Sequence, residues 1–135
     1  MYNIKKIIFF LIIFFFIPVY SFSKVNKMVI ADSVFNYICQ LGIKHPEIVI
    51  KQTILETGWY SDSYLMSRNN LFAFRTKKYL KFKNWKASVE YYKKWQDKHY
   101  LNSDENYYRF LIRIKYATNK YPVYLKKIKY VNSCK

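Results

Sequence analysis

A chain of 135 residues fits one domain. Only two glycines occur, which argues against an all-β fold built on tight turns. There is no CxxC pair and His45 and His99 stand isolated, which argues against a metal site, and nothing calls for a cofactor. The formal charge of +16 favours a polyanionic partner: nucleic acid, anionic lipid or an acidic cell-wall polymer. The lysines are spread along the chain, so a plain solvated surface is as good a reading as a functional patch.

In chain order, Lys5 and Lys6 precede an apolar run from Ile7 to Val19, broken by Pro18, and Ser21 and Ser23 come next at signal-peptidase spacing. Residues 1–23 read as a secretory signal peptide and residues 24–135 as the mature domain, exported to the periplasm or the extracellular space. An uncleaved anchor is the alternative, but the run is shorter than the ~20 residues of a spanning helix. Without Lys5 and Lys6, 22 basic residues face 8 acidic ones. Export argues against nucleic acid as the usual partner and leaves membrane contact to the leader alone. An oxidising compartment gives Cys39 and Cys134 two fates. They pair and tie the C-terminal tail to the first helix, or they stay reduced with Cys39 in the core.

Val25 to Leu41 has the apolar spacing of an amphipathic helix, stopped by Gly42. Pro46 opens a second helix and Gly58 closes it. Ser61 to Arg75 is polar, contains an Asn-Asn pair and reads as loop. Tyr79 to Trp85 reads as a short strand or extended turn. Asn84 caps a third helix running through Val89, Tyr92, Trp95 and His99. Tyr107 to Ile114 forms a fourth, and Tyr121 or Pro122 to Tyr130 a fifth. The class is all-α: about five helices with at most a minimal β-hairpin.

The second helix holds the most informative residue. At 100° per residue, Glu47 and Lys51 form a solvated i,i+4 pair, and Glu56 falls opposite them, between Val49 and Gln52. Its carboxyl points inward at the negative end of the helix dipole, among apolar neighbours. Both effects favour the neutral acid. A protonated carboxyl of that kind is what a glycosidase uses to protonate a leaving oxygen. A structural Glu satisfied by Arg or backbone partners is the competing reading.

The stretch PEIVIKQTILETGWYSDSYLMSRNNLFAFR adds to this. It resembles the glucosaminidase family of bacterial cell-wall hydrolases, which implies a lysozyme-like helical fold. The matching motifs are Glu56-Thr57-Gly58-Trp59, Asn69-Asn70-Leu71-Phe72, the segment from Trp85 to Val89, and Tyr116-Ala117-Thr118, in family order over about residues 45 to 125. The resemblance implies Glu56 as general acid and Tyr116 across the cleft, supporting the transition state or a water. It implies Trp59, Asn69, Asn70, Phe72 and Tyr121 as substrate-binding residues. Asn-Asn is also a common turn pair, and Phe72 and Trp59 are also candidates for the core.

Two departures stand out. Ala73 replaces a family glycine; positive φ there would cost about 1 kcal/mol or more, so the loop is expected to be slightly repositioned. No acid occurs between Asp62 and Glu90, so a second catalytic carboxylate is missing unless one of those two supplies it. The function implied is cleavage of the β-1,4 bond after N-acetylglucosamine in peptidoglycan glycan strands by a monomer. Competing readings are a lytic transglycosylase, a non-catalytic basic wall-binding module, and a cationic membrane-active or nucleic-acid-binding protein.

Overall fold

The computed structural model describes residues 26–102 and 105–135. The expected signal segment lies outside them. Among the described residues six helices succeed one another: α1 (residues 26–40), α2 (Pro46–Glu56), α3 (Ser63–Ser67), α4 (Trp85–His99), α5 (Tyr107–Arg113) and α6 (Tyr121–Lys127). No strand occurs among the described residues; one isolated bridge joins Arg75 and Tyr79. The domain is all-α and lysozyme-like.

The core forms around α2. Ile48, Val49, Ile50, Gln52, Thr53 and Ile54 are all buried, so this helix is enclosed on most of its circumference. α1 turns Ala31, Val34, Phe35 and Ile38 towards it, at the three- and four-residue spacing of one helix face. α4 adds Val89 and Tyr92, with Phe72 stacked on Tyr92 at 4.2 Å between centroids. At the α2 N-terminus, Glu47 lies 3.7 Å from His45 Nδ1, and no ion pair with Lys51 forms. His45 and His99 are half-buried, bonded to the Tyr100 hydroxyl and the Trp95 carbonyl.

Four helices stop in the same way. After α1, α2, α3 and α5 a residue in left-handed conformation succeeds the cap: Gly42, Gly58, Asn69 and Lys115. In each case the next residue's N–H reaches back five residues: Ile43 to Ile38 O, Trp59 to Ile54 O, Asn70 to Leu65 O and Tyr116 to Leu111 O. This satisfies carbonyls that the helix end would otherwise leave open. Glycine suits that position, asparagine is next best, and lysine is held there at a cost of about 1 kcal/mol or more.

Two sequence expectations change, and one open alternative is decided. Ser61 to Arg75 is not all loop: Asp62 Oδ1 accepts from Leu65 N at 2.9 Å and caps the short α3. Of the two readings of Tyr79 to Trp85 the extended turn is realised, running up to Trp85 where α4 begins and tied by Leu80 N to Phe74 O and by Phe82 N to Arg68 O. The last helix ends at Lys127, and Ile128 turns extended. The reason lies further along the chain. Tyr130 packs edge-on against Phe35 and donates to Asp32 Oδ1 at 2.7 Å, drawing the tail along α1. Of the two fates open to the cysteines, pairing is realised. The Cys39–Cys134 disulfide closes a loop with a sequence separation of 95 residues. In the chain-entropy picture a loop of that length is worth about 4–5 kcal/mol.

Candidate active site

Glu56 is the last residue of α2, and the turn after it fixes where its carboxyl goes. Gly58, Trp59 and Tyr60 are left-handed in succession, with φ of 54, 56 and 59°. Two of the three carry a Cβ, so the turn is strained by about 1–2 kcal/mol for each of them. It is held by several bonds. Thr57 Oγ1 donates to Thr53 O and accepts from Tyr60 N, at 2.7 and 2.9 Å. The Tyr60 hydroxyl lies 2.8 Å from Thr53 Oγ1. Ser61 and Asp62 both donate to Thr57 O. The chain therefore reverses at once, and Glu56 sits at a rigid helix end facing a cleft of about 430 Å³.

Glu56, Phe72, Ala73, Phe74, Arg75, Tyr79, Lys115 and Tyr116 line this cleft. Oε1 of Glu56 accepts from the Tyr121 hydroxyl at 2.6 Å. Oε2 makes no hydrogen bond among the described residues. Burial pushes the carboxyl above its usual range, and the Tyr121 bond opposes that shift. The Tyr116 hydroxyl donates to Phe72 O at 2.9 Å, so one side of the cleft is bonded to the other. The Tyr116 and Tyr121 rings meet edge-on at 6.1 Å. Burial raises both phenols, so they stay protonated donors.

Asn69 and Asn70 build the loop rather than line the cleft. Asn69 is the left-handed residue after α3, and its amide donates to Phe82 O at 3.0 Å. It borders a separate cavity of about 330 Å³ beside Met66, Leu71 and Trp85. Asn70 is fully buried. Its amide donates to Phe74 O and Leu80 O, and its Oδ1 accepts from Phe74 N. That clamp folds residues 72–75 over the cleft. Phe72 is buried against Tyr92 and reaches the cleft beside its own carbonyl. Trp59 is half-buried against the core, outside the cleft lining. Tyr121 acts on the site through Glu56. Ala73 keeps φ at 52°, so the loop retains the left-handed turn and is not repositioned to relieve it.

Over residues 33–133 the chain matches the glucosaminidase family, described as mannosyl-glycoprotein endo-beta-N-acetylglucosaminidase. The chain belongs to this family. No curated protein and no solved structure matches it. Membership makes glycoside hydrolysis the activity class and supports peptidoglycan hydrolysis in general. No helix among the described residues is long and apolar enough to cross a membrane.

Among the described residues, the glucosaminidase cleft has a single carboxylate in its lining. Asp62 is engaged in capping α3, and Glu90 is exposed on α4, where it accepts from the Tyr37 hydroxyl at 2.7 Å. Neither lines the cleft. Two cations do, Arg75 and Lys115, together with Tyr79. Sequence reasoning missed these three. Arg75 and Tyr79 belong to a stretch whose basic side chains look alike in sequence. Lys115 had one signal: it precedes Tyr116 at a helix end where glycine would be expected.

Proposed function

We propose that this glucosaminidase is an exported peptidoglycan hydrolase that cleaves the β-1,4 bond after N-acetylglucosamine, with Glu56 as general acid. The observation that carries the reading is the Glu56 carboxyl itself. It is desolvated, held at one oxygen by Tyr121, and open at the other to a cleft. A carboxyl biased towards its neutral form donates its proton to the glycosidic oxygen as the C–O bond breaks. Tyr116, with its phenol fixed to Phe72 O, keeps its oxygen lone pairs for a water or a polarised group. Residues 1–23 serve as the export signal in this reading.

With one carboxylate in the lining among the described residues, the positive anomeric carbon is met by the substrate's own 2-acetamido oxygen or by a water, and Glu56 then recovers its proton. The same single carboxylate favours one second reading, a lytic transglycosylase. There the sugar's own hydroxyl attacks and an anhydro sugar results. Digestion of purified peptidoglycan with mass analysis of the new ends decides between them. Reducing N-acetylglucosamine ends support the hydrolase, and anhydro ends replace it with the transglycosylase. Release of the same products by a folded Glu56→Gln protein removes Glu56 from the chemistry.

A further inference from the structure

The surface next to the cleft carries a pattern that the hydrolytic chemistry does not use. Tyr79 lines the cleft, and its ring meets the ring of Tyr64 edge-on at 5.9 Å. Tyr64 is 50 % exposed in the first turn of α3. Each of these rings carries a guanidinium. Arg75 lies 5.8 Å from the Tyr79 centroid and Arg68 lies 4.5 Å from that of Tyr64. From the cleft outward the order is Arg75, Tyr79, Tyr64, Arg68. A guanidinium resting on an aromatic ring keeps its in-plane N–H donors free, and that fork fits a carboxylate.

The charge balance around this ladder is one-sided. The ion pairs among the described residues are His45–Glu47, Lys93–Asp97 and Arg113–Glu105, so neither arginine is neutralised. Asp62, at the start of α3, is taken up by the Leu65 N–H. Lys115 joins Arg75 as a cation in the cleft lining, held in a left-handed conformation that disfavours it. None of the three is paired with Glu56, so they leave the acid undisturbed and face whatever enters.

We propose that the Arg75–Tyr79–Tyr64–Arg68 ladder is an outer subsite of the cleft that takes a carboxylate-bearing sugar unit beyond the scissile bond. This rests on the reading of the cleft as a glycan site. The rings cover the apolar face of the sugar, and the guanidinium forks take the carboxylate.

The test uses the full chain carrying Glu56→Gln, so that ligand survives. Binding is measured at low salt to peptide-free peptidoglycan strands of six or more sugars and to chitohexaose, a neutral strand of similar length. Acidic strands should bind about fivefold or more tightly than chitohexaose, with the advantage falling as salt rises. Arg68→Gln with Arg75→Gln should erase the advantage. Tyr64→Ala should weaken both ligands. A third ligand isolates the sugar carboxylate: the same peptide-free strands with that carboxyl reduced to an alcohol. Loss of the advantage on that ligand supports the proposal, and its retention overturns it. Equal affinity for acidic and neutral strands, or an advantage that survives the double substitution, also overturns it while leaving wall hydrolysis standing. Binding of no glycan at all overturns both.

Discussion

Gln52 and Glu56 lie one turn apart on α2, and each ends a group of buried tyrosine hydroxyls. Around Gln52 the group is closed. The Tyr92 hydroxyl donates to Gln52 Oε1 at 2.6 Å and lies 2.6 Å from the Tyr107 hydroxyl. Gln96 bonds Tyr107 and both backbone polar atoms of Lys44. Around Glu56 the group is open: Tyr121 bonds the carboxyl, and the carboxyl faces the cleft. Burial raises the phenols in both, to about 12 for Tyr107. Desolvation alone therefore does not distinguish an active site. The difference is the terminal group and its access: a neutral amide sealed inside, against an ionisable acid at a cavity.

The most direct way to break the comparison is to make the open end resemble the closed one. Glu56→Gln does this, since the amide keeps an oxygen for Tyr121 but has no proton to give. Wall lysis should fall by about 10²–10⁴-fold, measured as release of soluble fragments. Stability should move the other way. Burial raises the folded-state pKa of Glu56, so its protonation favours folding fully below the unfolded pKa. That contribution is lost as pH rises through the folded pKa, where the ionised acid is held at a cost. Melting temperatures should thus be equal or higher for Glu56→Gln at neutral pH, with the gap narrowing in acid.

Tyr116→Phe comes second. It keeps the ring and removes a hydroxyl that bonds Phe72 O. Turnover should drop about tenfold or more, while denaturant unfolding shows a loss of about 1 kcal/mol for the bond across the cleft. A larger loss of stability with activity intact would class Tyr116 with the sealed group.

Legibility in the sequence divides along the same line. Helical periodicity and the Pro46 and Gly58 signals located α2, and its wheel set Glu56 opposite Glu47 before any contact was known. Asn84 as a cap and Gly42 as a stop were equally visible, because these effects act over three to five residues. Contacts made by distant residues were not visible. Nothing local says that Tyr121 would reach Glu56 across 65 positions, or that Tyr130 would find Asp32 and end α6 early. Asn69 and Asn70 were legible as a pair, but their work is backbone bonding to Phe82, Phe74 and Leu80, which depends on how the next ten residues fold back.

Tyr92→Phe probes the closed end. It strips Gln52 Oε1 of its donor and Tyr107 of a partner, in a region with no solvent to replace them. Unfolding free energy should fall by about 1–3 kcal/mol. The pH profile of the enzyme should keep its shape, because no group in this cluster ionises near neutrality. A displaced profile would show that the two clusters are one network and that the comparison is false.

The smallest effect, and the one that sharpens the contrast most, is expected from Tyr121→Phe. The lost hydroxyl is a donor, and a donor favours the ionised carboxylate. In the native protein that bond pulls the Glu56 pKa down against the larger upward effect of burial. Removing it leaves desolvation unopposed, so the pKa rises further. A general acid works only while protonated, so activity is lost on the alkaline side as pH climbs through that pKa. The alkaline limb of kcat/KM should therefore move to higher pH in Tyr121→Phe. Its plateau should drop modestly, because Oε1 loses the contact that orients the carboxyl. Tyr92→Phe, one bond removed from Gln52, should leave the limb in place. A limb that stays put in Tyr121→Phe, or moves to lower pH, would mean that Glu56 is not the acid whose titration sets the rate.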